Sequence, residues 1–356
     1  MSNNNKTVKV GLIGYGMAGR VFHAPIISCV PGLELLKIRE TKADNIADAK
    51  SRYTNAEIVD NSTGIFEDKN IDLVVIATPN TTHYNLAKES LKAGKHVVVD
   101  KPFTITTQDA DDLIELAKSN NKIISIFHNR RWDSDFLTIK KIIESRVLGN
   151  LVEVEIHFDR FHNFIEKDAW REEDLPGSGV LYDLGSHLID QSQVLFGLPG
   201  EVTADIRIQR PGGKSADNFE LILHYRNLKV TLKAGMLVKE PGPHYMLYGD
   251  MGSFIKYGFD VQEEALKQGL TPLTGENWGQ EPESIWGNLN IEKGGQSIIR
   301  EVESEKGVYR AYYYNIYSAI VNGEELMVKP EEARNVIKTI ELAIKSNQEK
   351  QTLEYI

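Results

Sequence analysis

The chain has 356 residues, of which 41% are hydrophobic and 26% are charged, and its formal net charge is −10. This acidic balance argues against a protein that binds nucleic acid or an anionic membrane surface. The single cysteine, Cys29, excludes an intrachain disulfide and a cysteine-rich zinc site. The apolar runs are too short to cross a bilayer, and the polar N-terminus predicts no secretion signal, so we expect a cytoplasmic protein of about two domains.

Short β-rich runs alternate with helical patterns along the first third of the chain. This alternation predicts an α/β domain with a parallel sheet that helices cover on both faces. The predicted strands are Val8–Ile13, Leu33–Ile38, Ile58–Val59, Asp72–Ala77, His96–Val99 and Ile123–Phe127, and the predicted helices are Thr82–Ala93 and Thr107–Asn120.

A glycine-rich loop follows the first strand and precedes a helical stretch. Gly14, Gly16 and Gly19 form the pattern G-x-G-x-x-G, with Tyr15, Met17 and Ala18 between them. In this context the three glycines allow a tight turn, a close approach to a pyrophosphate and close packing of helix on strand. We therefore predict that residues 14–19 bind a dinucleotide.

The end of the second strand bears on the choice between NAD and NADP. Glu40 stands where a carboxylate would hold the ribose 2′-hydroxyl of NAD. Arg39, Thr41 and Lys42 surround it, and such side chains suit a 2′-phosphate. The residues favour NAD slightly, because Glu40 would repel a 2′-phosphate, but both cofactors remain open.

Lys101 follows the strand His96–Val99, between Asp100 and Pro102. Ligands of parallel sheets lie beyond the carboxyl ends of the strands, so we expect Lys101 to point toward the cofactor cleft. The alternative is an exposed surface lysine.

After about residue 127 the hydrophobic pattern changes to strict alternation. Period two predicts a half-buried, mostly antiparallel sheet, whose polar face is open either to solvent or to a second subunit. The boundary predicts domains at 1–127 and 128–356. The alternating runs are 152–158, 202–208, 219–225 and 230–234, and helices are predicted at Gly179–Phe196, Tyr309–Val321 and Pro330–Ser346.

Asp183 and His187 are four residues apart in the predicted helix 179–196, and would therefore share one face. A carboxylate that orients an imidazole suits a general base, although a structural Asp–His pair is the alternative. No sequence motif predicts a metal site.

Two further groups are candidate ligands of cofactor or substrate. Residues 128–133 follow the sixth strand and include Asn129 and Arg130. We expect these two side chains to bind the cofactor or the hydroxyls of the substrate. The alternative is that residues 128–133 are a charged linker between the domains. Trp170 and Arg171 lie in a predicted loop and are candidate substrate-binding residues.

Taken together, these motifs resemble the Gfo/Idh/MocA family, the group of glucose-fructose oxidoreductase and inositol dehydrogenase. The resemblance covers nearly the whole chain. Its further motifs are Ala77-Thr78-Pro79-Asn80 with His83, Ala93-Gly94-Lys95-His96 and Asp100-Lys101-Pro102, the last in place of the family's usual Glu-Lys-Pro. Residues 128–137 resemble the branch of NADP-dependent scyllo-inositol dehydrogenases, which typically lacks an acid at the place of Glu40.

The resemblance implies an N-terminal Rossmann dinucleotide-binding domain and a C-terminal α+β domain with a large, mostly antiparallel open sheet. It implies that this sheet builds a homodimer or homotetramer, and that the substrate is a cyclic polyol or sugar. Lys101, Asp183 and His187 would form the catalytic set, in which either His187 or Lys101 is the proton acceptor. The cofactor-binding set would extend to Thr78, Pro79, Asn80, His83, Asp100 and Lys101, and the substrate-binding set would be Lys101, Arg130, Trp170, Arg171, Asp183 and His187.

The expected reaction is reversible oxidation of a secondary alcohol with NAD or NADP. One alternative is a non-catalytic dinucleotide-binding sensor with the same fold, against which the joint presence of Lys101, Asp183 and His187 argues. Another is transient oxidation during glycoside cleavage.

Overall fold

A computed structural model describes residues 6–167, 169–274 and 277–356. The described chain forms two compact units: the first contains residues up to 132, 262–278 and 308–334, and the second contains 133–261, 279–307 and 335–356. The predicted domains, 1–127 and 128–356, were continuous, whereas these units are not. Residues 1–5, which belong to the N-terminus predicted to lack a secretion signal, lie outside the described residues.

The first unit is built on a sheet of six parallel strands in the order β3-β2-β1-β4-β5-β6. The central strands are buried on both faces, which is why their sequences are almost continuous runs of Val, Ile and Leu. The Rossmann-type sheet expected from the sequence is thereby confirmed. The strands are β1 (Val8–Ile13), β2 (Leu33–Arg39), β3 (Glu57–Val59), β4 (Leu73–Ile76), β5 (His96–Val99) and β6 (Ile124–Ile126).

Helices connect these strands, and two later segments of the chain join the same unit. The connecting helices are α1 (Ala24–Ile27), α2 (Ala43–Arg52), α3 (Thr63–Phe66), α4 (His83–Lys92) and α5 (Thr107–Ser119). The later segments carry α8 (Gln262–Lys267) and α9 (Arg310–Asn322). The sequence pattern left open where the helix near residue 310 packs; it belongs to the first unit. None of the helices in the described ranges is long and apolar enough to cross a membrane.

The second unit is built on a nine-stranded sheet in the order β14-β13-β12-β11-β7-β10-β9-β8-β15. All neighbours are antiparallel except β7 and β10, so the predicted large, mostly antiparallel sheet is confirmed. The strands are β7 (Leu151–His157), β8 (Glu201–Arg207), β9 (Asn218–His224), β10 (Lys229–Gly235), β11 (Tyr245–Gly249), β12 (Gly252–Lys256), β13 (Gly287–Lys293), β14 (Gln296–Val302) and β15 (Leu353–Glu354).

Strands β11 to β14 were not predicted from the sequence. β14 is exposed along nearly its whole length, so it lacks the alternation of polar and apolar residues that marks a half-buried strand. β13 and β14 are held instead by their ladder, which pairs residues 287–293 with 296–302. Three more helices complete the chain: α6 (Ser134–Glu144), α7 (Ser186–Phe196) and α10 (Pro330–Glu349).

The helix predicted at 179–196 is not one regular α-helix. Residues Leu181–Gly185 form a π-helical turn, and the regular α-helix α7 begins only at Ser186. Asp183 lies in the π-helical turn and His187 lies in α7. The argument that residues four apart share a face holds for an α-helix, so it does not carry over to this pair.

Candidate functional site

Each of the predicted cofactor-binding groups in the first unit follows the carboxyl end of a strand. Residues 14–19 follow β1, 40–42 follow β2, 78–83 follow β4, 100–101 follow β5 and 129–130 follow β6. Because all six strands are parallel, these ends lie along one edge of the sheet. In doubly wound sheets, ligands bind at this edge, where the strand order reverses between β1 and β4.

The glycine loop has the backbone geometry that a bound pyrophosphate requires. Gly14 has φ +98°, and a Cβ there would lie 2.5 Å from the carbonyl oxygen of Ala77. A Cβ at Gly19 would collide with the carbonyl oxygen of Gly14, whereas a Cβ at Gly16 would meet nothing within 4 Å. Gly16 thus faces open space while its neighbours are tightly packed, so the loop fits a dinucleotide.

The other residues of the loop divide between the interior and the surface. Tyr15 is buried, and its hydroxyl donates to the Asp48 carboxylate at 2.8 Å. Met17 is exposed, and the π-helical turn Ala18–His23 begins directly after it. The side chain of Tyr15 therefore anchors the loop to α2, and only the backbone of Tyr15 remains available to a ligand.

Glu40 is buried and receives several hydrogen bonds from its own loop. Its Oε1 accepts from the backbone N–H groups of Thr41 at 2.7 Å and Lys42 at 2.9 Å, and its Oε2 accepts from Asn45 at 2.9 Å. Burial alone would raise the pKa of Glu40, but these hydrogen bonds and one from the Tyr15 backbone hold it below its usual value. Glu40 is therefore an ionised carboxylate that shapes the turn carrying the exposed side chains of Thr41 and Lys42.

His83 joins the loops that follow β4 and β5. Its Nδ1 lies 2.8 Å from the carbonyl oxygen of Pro102, and its Nε2 lies 3.0 Å from that of Thr78. Burial lowers the pKa of His83, against the opposing effect of Asp100 and these carbonyls. Both ring nitrogens thus face carbonyl oxygens of the protein, although a neutral ring donates to only one of them, and His83 joins the two loops.

Lys101 is half-buried at the end of β5. Its backbone N–H donates to Asp100 Oδ1 at 2.9 Å, and its peptide bond to Pro102 is cis. Asp100 is buried, and although burial alone would raise its pKa, the adjacent His23 imidazole and the charge of Lys101 lower it. An ionised carboxylate therefore fixes the backbone from which the lysine side chain extends.

Arg130 has a partner that the sequence did not reveal. Its guanidinium forms an ion pair with Glu263 of α8, and both side chains are largely buried. Lys267 pairs with the same carboxylate at 2.8 Å. Burial would raise the pKa of Glu263, but the charges of Arg130 and Lys267 lower it to about 2. Arg130 is thus held by a segment 133 residues away in the sequence, while the neighbouring Asn129 is buried.

In the second unit, three of the predicted site residues lie together. Arg171 Nε lies 3.5 Å from Asp183 Oδ1, and the Arg171 guanidinium lies 4.6 Å from the centre of the Trp170 ring. The Arg171 side chain is 51% exposed and that of Asp183 is 26% exposed, so both are reachable from solvent. His187 is buried at the start of α7.

Sequence analysis missed Arg210, which holds the loop of Trp170 and Arg171. Arg210 is buried and donates to Glu172, to Asp217 and to the carbonyl oxygen of Phe164. The hydroxyl of Ser215 donates to the carbonyl oxygen of Arg171 at 2.8 Å. An arginine near a Pro-Gly turn is typical of an exposed loop, so no local pattern indicated this role.

Comparison with known proteins agrees with this architecture. A family model described as "Oxidoreductase family, NAD-binding Rossmann fold" matches residues 8–128, and one described as "Oxidoreductase family, C-terminal alpha/beta domain" matches residues 140–355. The expected cofactor class, NAD or NADP, is thereby confirmed, with the preference between them open.

Individual proteins are similar to this chain over almost its full length. The oxidoreductase YdgJ of Escherichia coli is 44% identical, covering 99% of both chains. The scyllo-inositol 2-dehydrogenase (NADP(+)) IolW of Bacillus subtilis is 38% identical, covering 98% of this chain and 96% of its own. The solved structure of the oxidoreductase YvaA of Bacillus subtilis superposes with a TM-score of 0.95 at 37% identity, covering 100% of both chains.

Proposed function

Because the chain belongs to the Gfo/Idh/MocA family of oxidoreductases, we propose that it is an NAD(P)-dependent dehydrogenase acting on a cyclic polyol or sugar. The substrate is an inositol-type polyol, whose secondary alcohol is oxidised to a ketone. The relative IolW, a scyllo-inositol 2-dehydrogenase, supports this substrate class.

The observation that carries the proposal is the shared sheet edge of the first unit. The glycine loop, with open space beside Gly16, and Lys101 both follow strand ends at that edge. A dinucleotide would be held by the backbone of residues 14–19, by the turn that Glu40 shapes and by the loops at Thr78 and Lys101. When bound, it supplies the nicotinamide ring that accepts a hydride.

The residues of this chain handle the proton of the substrate hydroxyl. We assign its removal to His187, oriented by Asp183, and stabilisation of the developing alkoxide to Lys101. The carbinol carbon loses its hydrogen as hydride, the hydroxyl loses its proton, and a carbon–oxygen double bond forms. Arg171 Nε lies 3.5 Å from Asp183 Oδ1, so a cation lies beside the carboxylate assigned to orient His187.

The substrate-binding role of Trp170 and Arg171 rests on their exposure beside Asp183. A guanidinium donates hydrogen bonds and a carboxylate accepts them, and a polyol hydroxyl can do both. The pair Arg171–Asp183 therefore suits a neutral ligand with neighbouring hydroxyls. A role of Arg130 in binding substrate or cofactor is less well supported, because Glu263 already binds its guanidinium.

The preference between NAD and NADP is also part of the proposal. The ionised Glu40 cannot donate a hydrogen bond to a 2′-phosphate and would repel its negative charge, which favours NAD. Thr41 and Lys42 are exposed beside it, which favours a 2′-phosphate and agrees with the use of NADP by the relative IolW. We propose that the turn accepts both cofactors, with Glu40 limiting the affinity for NADP.

We further propose that the protein acts in the cytoplasm as a homodimer or homotetramer through the sheet of the second unit. The outer face of that sheet carries charged pairs, among them Lys229–Glu153 and Lys233–Glu220. Sedimentation of the purified protein tests the oligomeric state.

The decisive experiment is an activity panel of inositols, aldoses and sugar phosphates with NAD and with NADP, followed by the absorbance of the reduced nicotinamide. We expect turnover with at least one inositol and little with sugar phosphates. Cofactor binding in calorimetry without turnover of any member would favour the sensor alternative. Absence of binding of all four dinucleotide forms at millimolar concentration would exclude the proposed function.

A further inference from the structure

Three buried polar side chains of the first unit, those of Tyr313, His23 and Asp100, lie next to one another beside Lys101. The hydroxyl of Tyr313 in α9 lies 2.6 Å from Nδ1 of His23, and Nε2 of His23 lies 3.6 Å from Asp100 Oδ1. His23 and Tyr313 are completely buried, and Asp100 is 9% exposed. The ring of Phe127 covers His23 at a centroid distance of 4.3 Å. Water is therefore excluded from the imidazole.

The chemistry of the three groups determines where the protons lie. The carboxylate of Asp100 can only accept hydrogen bonds, so Nε2 of His23, which faces it, carries a proton, and Nδ1 accepts from the Tyr313 hydroxyl. An imidazole whose Nδ1 accepts a hydrogen bond carries its proton on Nε2. That N–H faces the carboxylate of Asp100, which in turn accepts the backbone N–H of Lys101.

The contacts among Tyr313, His23 and Asp100 join the segment after the dinucleotide loop to the end of the strand that precedes Lys101. His23 is the last residue of the helical turn 18–23 that follows the glycine loop, and Asp100 follows β5. The contacts therefore connect the dinucleotide loop to the backbone of the lysine assigned to catalysis. Tyr313 occupies Nδ1 and so leaves the imidazole proton of His23 on Nε2, which faces Asp100.

We propose that His23 is a positioning residue for Lys101, held in one tautomer by Tyr313 and acting through the carboxylate of Asp100. This inference rests on the proposed function, since it concerns the placement of the lysine assigned to the reaction. His23 itself touches no reacting atom. Its effect is to keep the backbone at residues 100–101 in one orientation relative to the glycine loop.

The test is the variant Tyr313→Phe, with Tyr312→Phe as a matched control. Tyr312 is an equally buried neighbour, but its hydroxyl donates to Ser125 Oγ at 3.1 Å instead of to His23. We expect Tyr313→Phe to lower kcat by about 10- to 100-fold, the loss typical of a catalytic group displaced by about 1 Å. The KM for the dinucleotide should change by less than about twofold, and Tyr312→Phe should keep kcat within about twofold of the wild type. Equal kcat in the two variants would overturn the proposal.

A second measurement does not depend on activity. In the ¹⁵N NMR spectrum of the wild-type protein we expect His23 to show an unprotonated Nδ1 and a protonated Nε2, and this preference should weaken in Tyr313→Phe. A proton on Nδ1 in the wild type would overturn the proposal even if the variant did not fold. If the wild type shows the expected tautomer of His23 but turns over no substrate, the result would count against the proposed function. It would still establish the arrangement of His23.

Discussion

The guanidinium of Arg210 donates to both carboxylate oxygens of Glu172, at 3.0 Å and 2.6 Å. Its Nε also donates to Asp217 at 3.0 Å, so one buried cation holds two carboxylates. Glu172 directly follows Arg171, whose side chain contacts Asp183. The position of Arg171 beside Asp183 therefore depends on a bidentate contact that is itself shielded from solvent.

We predict that Arg210→Ala lowers the free energy of unfolding by about 3 kcal/mol, because removing one partner of a buried ion pair leaves charges buried without compensation. Arg210→Lys should lose much of the same stability, since an ammonium cannot form the planar two-bond contact. Urea denaturation measures both. Arg207→Ala is the control, because Arg207 pairs with Asp205 on the surface and should be nearly neutral. Equal effects of Arg207→Ala and Arg210→Ala would contradict the role assigned to Arg210.

Replacement of Glu40 tests how the turn after β2 selects the cofactor. We predict that Glu40→Ser shifts the ratio of kcat/KM values toward NADP, because it removes a negative charge next to the ribose position. Asn45→Ala is the control: it removes the donor to Glu40 Oε2 but leaves the charge in place. A ratio unchanged within about twofold, on the order of 0.4 kcal/mol, would mean that Glu40 only shapes the turn.

Kinetics tests whether Lys101 and His187 act together on the proton of the substrate hydroxyl. Lys101→Ala and His187→Ala should each lower kcat roughly 10²- to 10⁴-fold, while calorimetry shows that the dinucleotide still binds. Because both residues serve one proton transfer, the double variant should lose much less than the product of the single losses. Lys92→Ala, at an exposed lysine of α4, should retain normal turnover. Independent multiplication of the losses, or near-normal turnover of His187→Ala, would show that His187 has a structural role instead.

The ion pair between Arg130 and Glu263 predicts a pH dependence of stability. The pKa of Glu263 falls from 4.5 to about 2 in the folded protein, so its stabilising contribution is complete above pH 4.5 and is lost as the pH falls toward 2. We expect Glu263→Gln to be destabilised relative to wild type at pH 6, by about 3 kcal/mol as an upper estimate, and the difference to shrink at pH 3. Denaturation midpoints at the two pH values measure this. Glu264→Gln, at an exposed residue of the same helix, should show no such convergence.

Several elements of the fold followed from local sequence patterns. The glycine loop, the buried strands β1, β4 and β5 and the alternating strands β7 to β10 were all recognisable, because backbone geometry imposes a period or a glycine at particular positions. The family resemblance also identified the motif Asp100-Lys101-Pro102 as part of the site. Strands β11 to β14 were missed: β11 and β12 bury alternate residues, whereas β14 is exposed along nearly its whole length and is held by its pairing with β13.

What the sequence by itself determined was therefore the kind of fold, the place of the dinucleotide loop and the strand end that carries Lys101. Only the tertiary structure decided the partners: Glu263 for Arg130, Glu172 for Arg210, and Tyr313 with Asp100 for His23. Each of these pairs joins residues 38 or more positions apart, and the affinity of a charge for a carboxylate does not depend on which acidic residue supplies it. Among the 51 Asp and Glu residues, the folded chain selects the partner by burying the two groups together, where an unpaired charge would be costly.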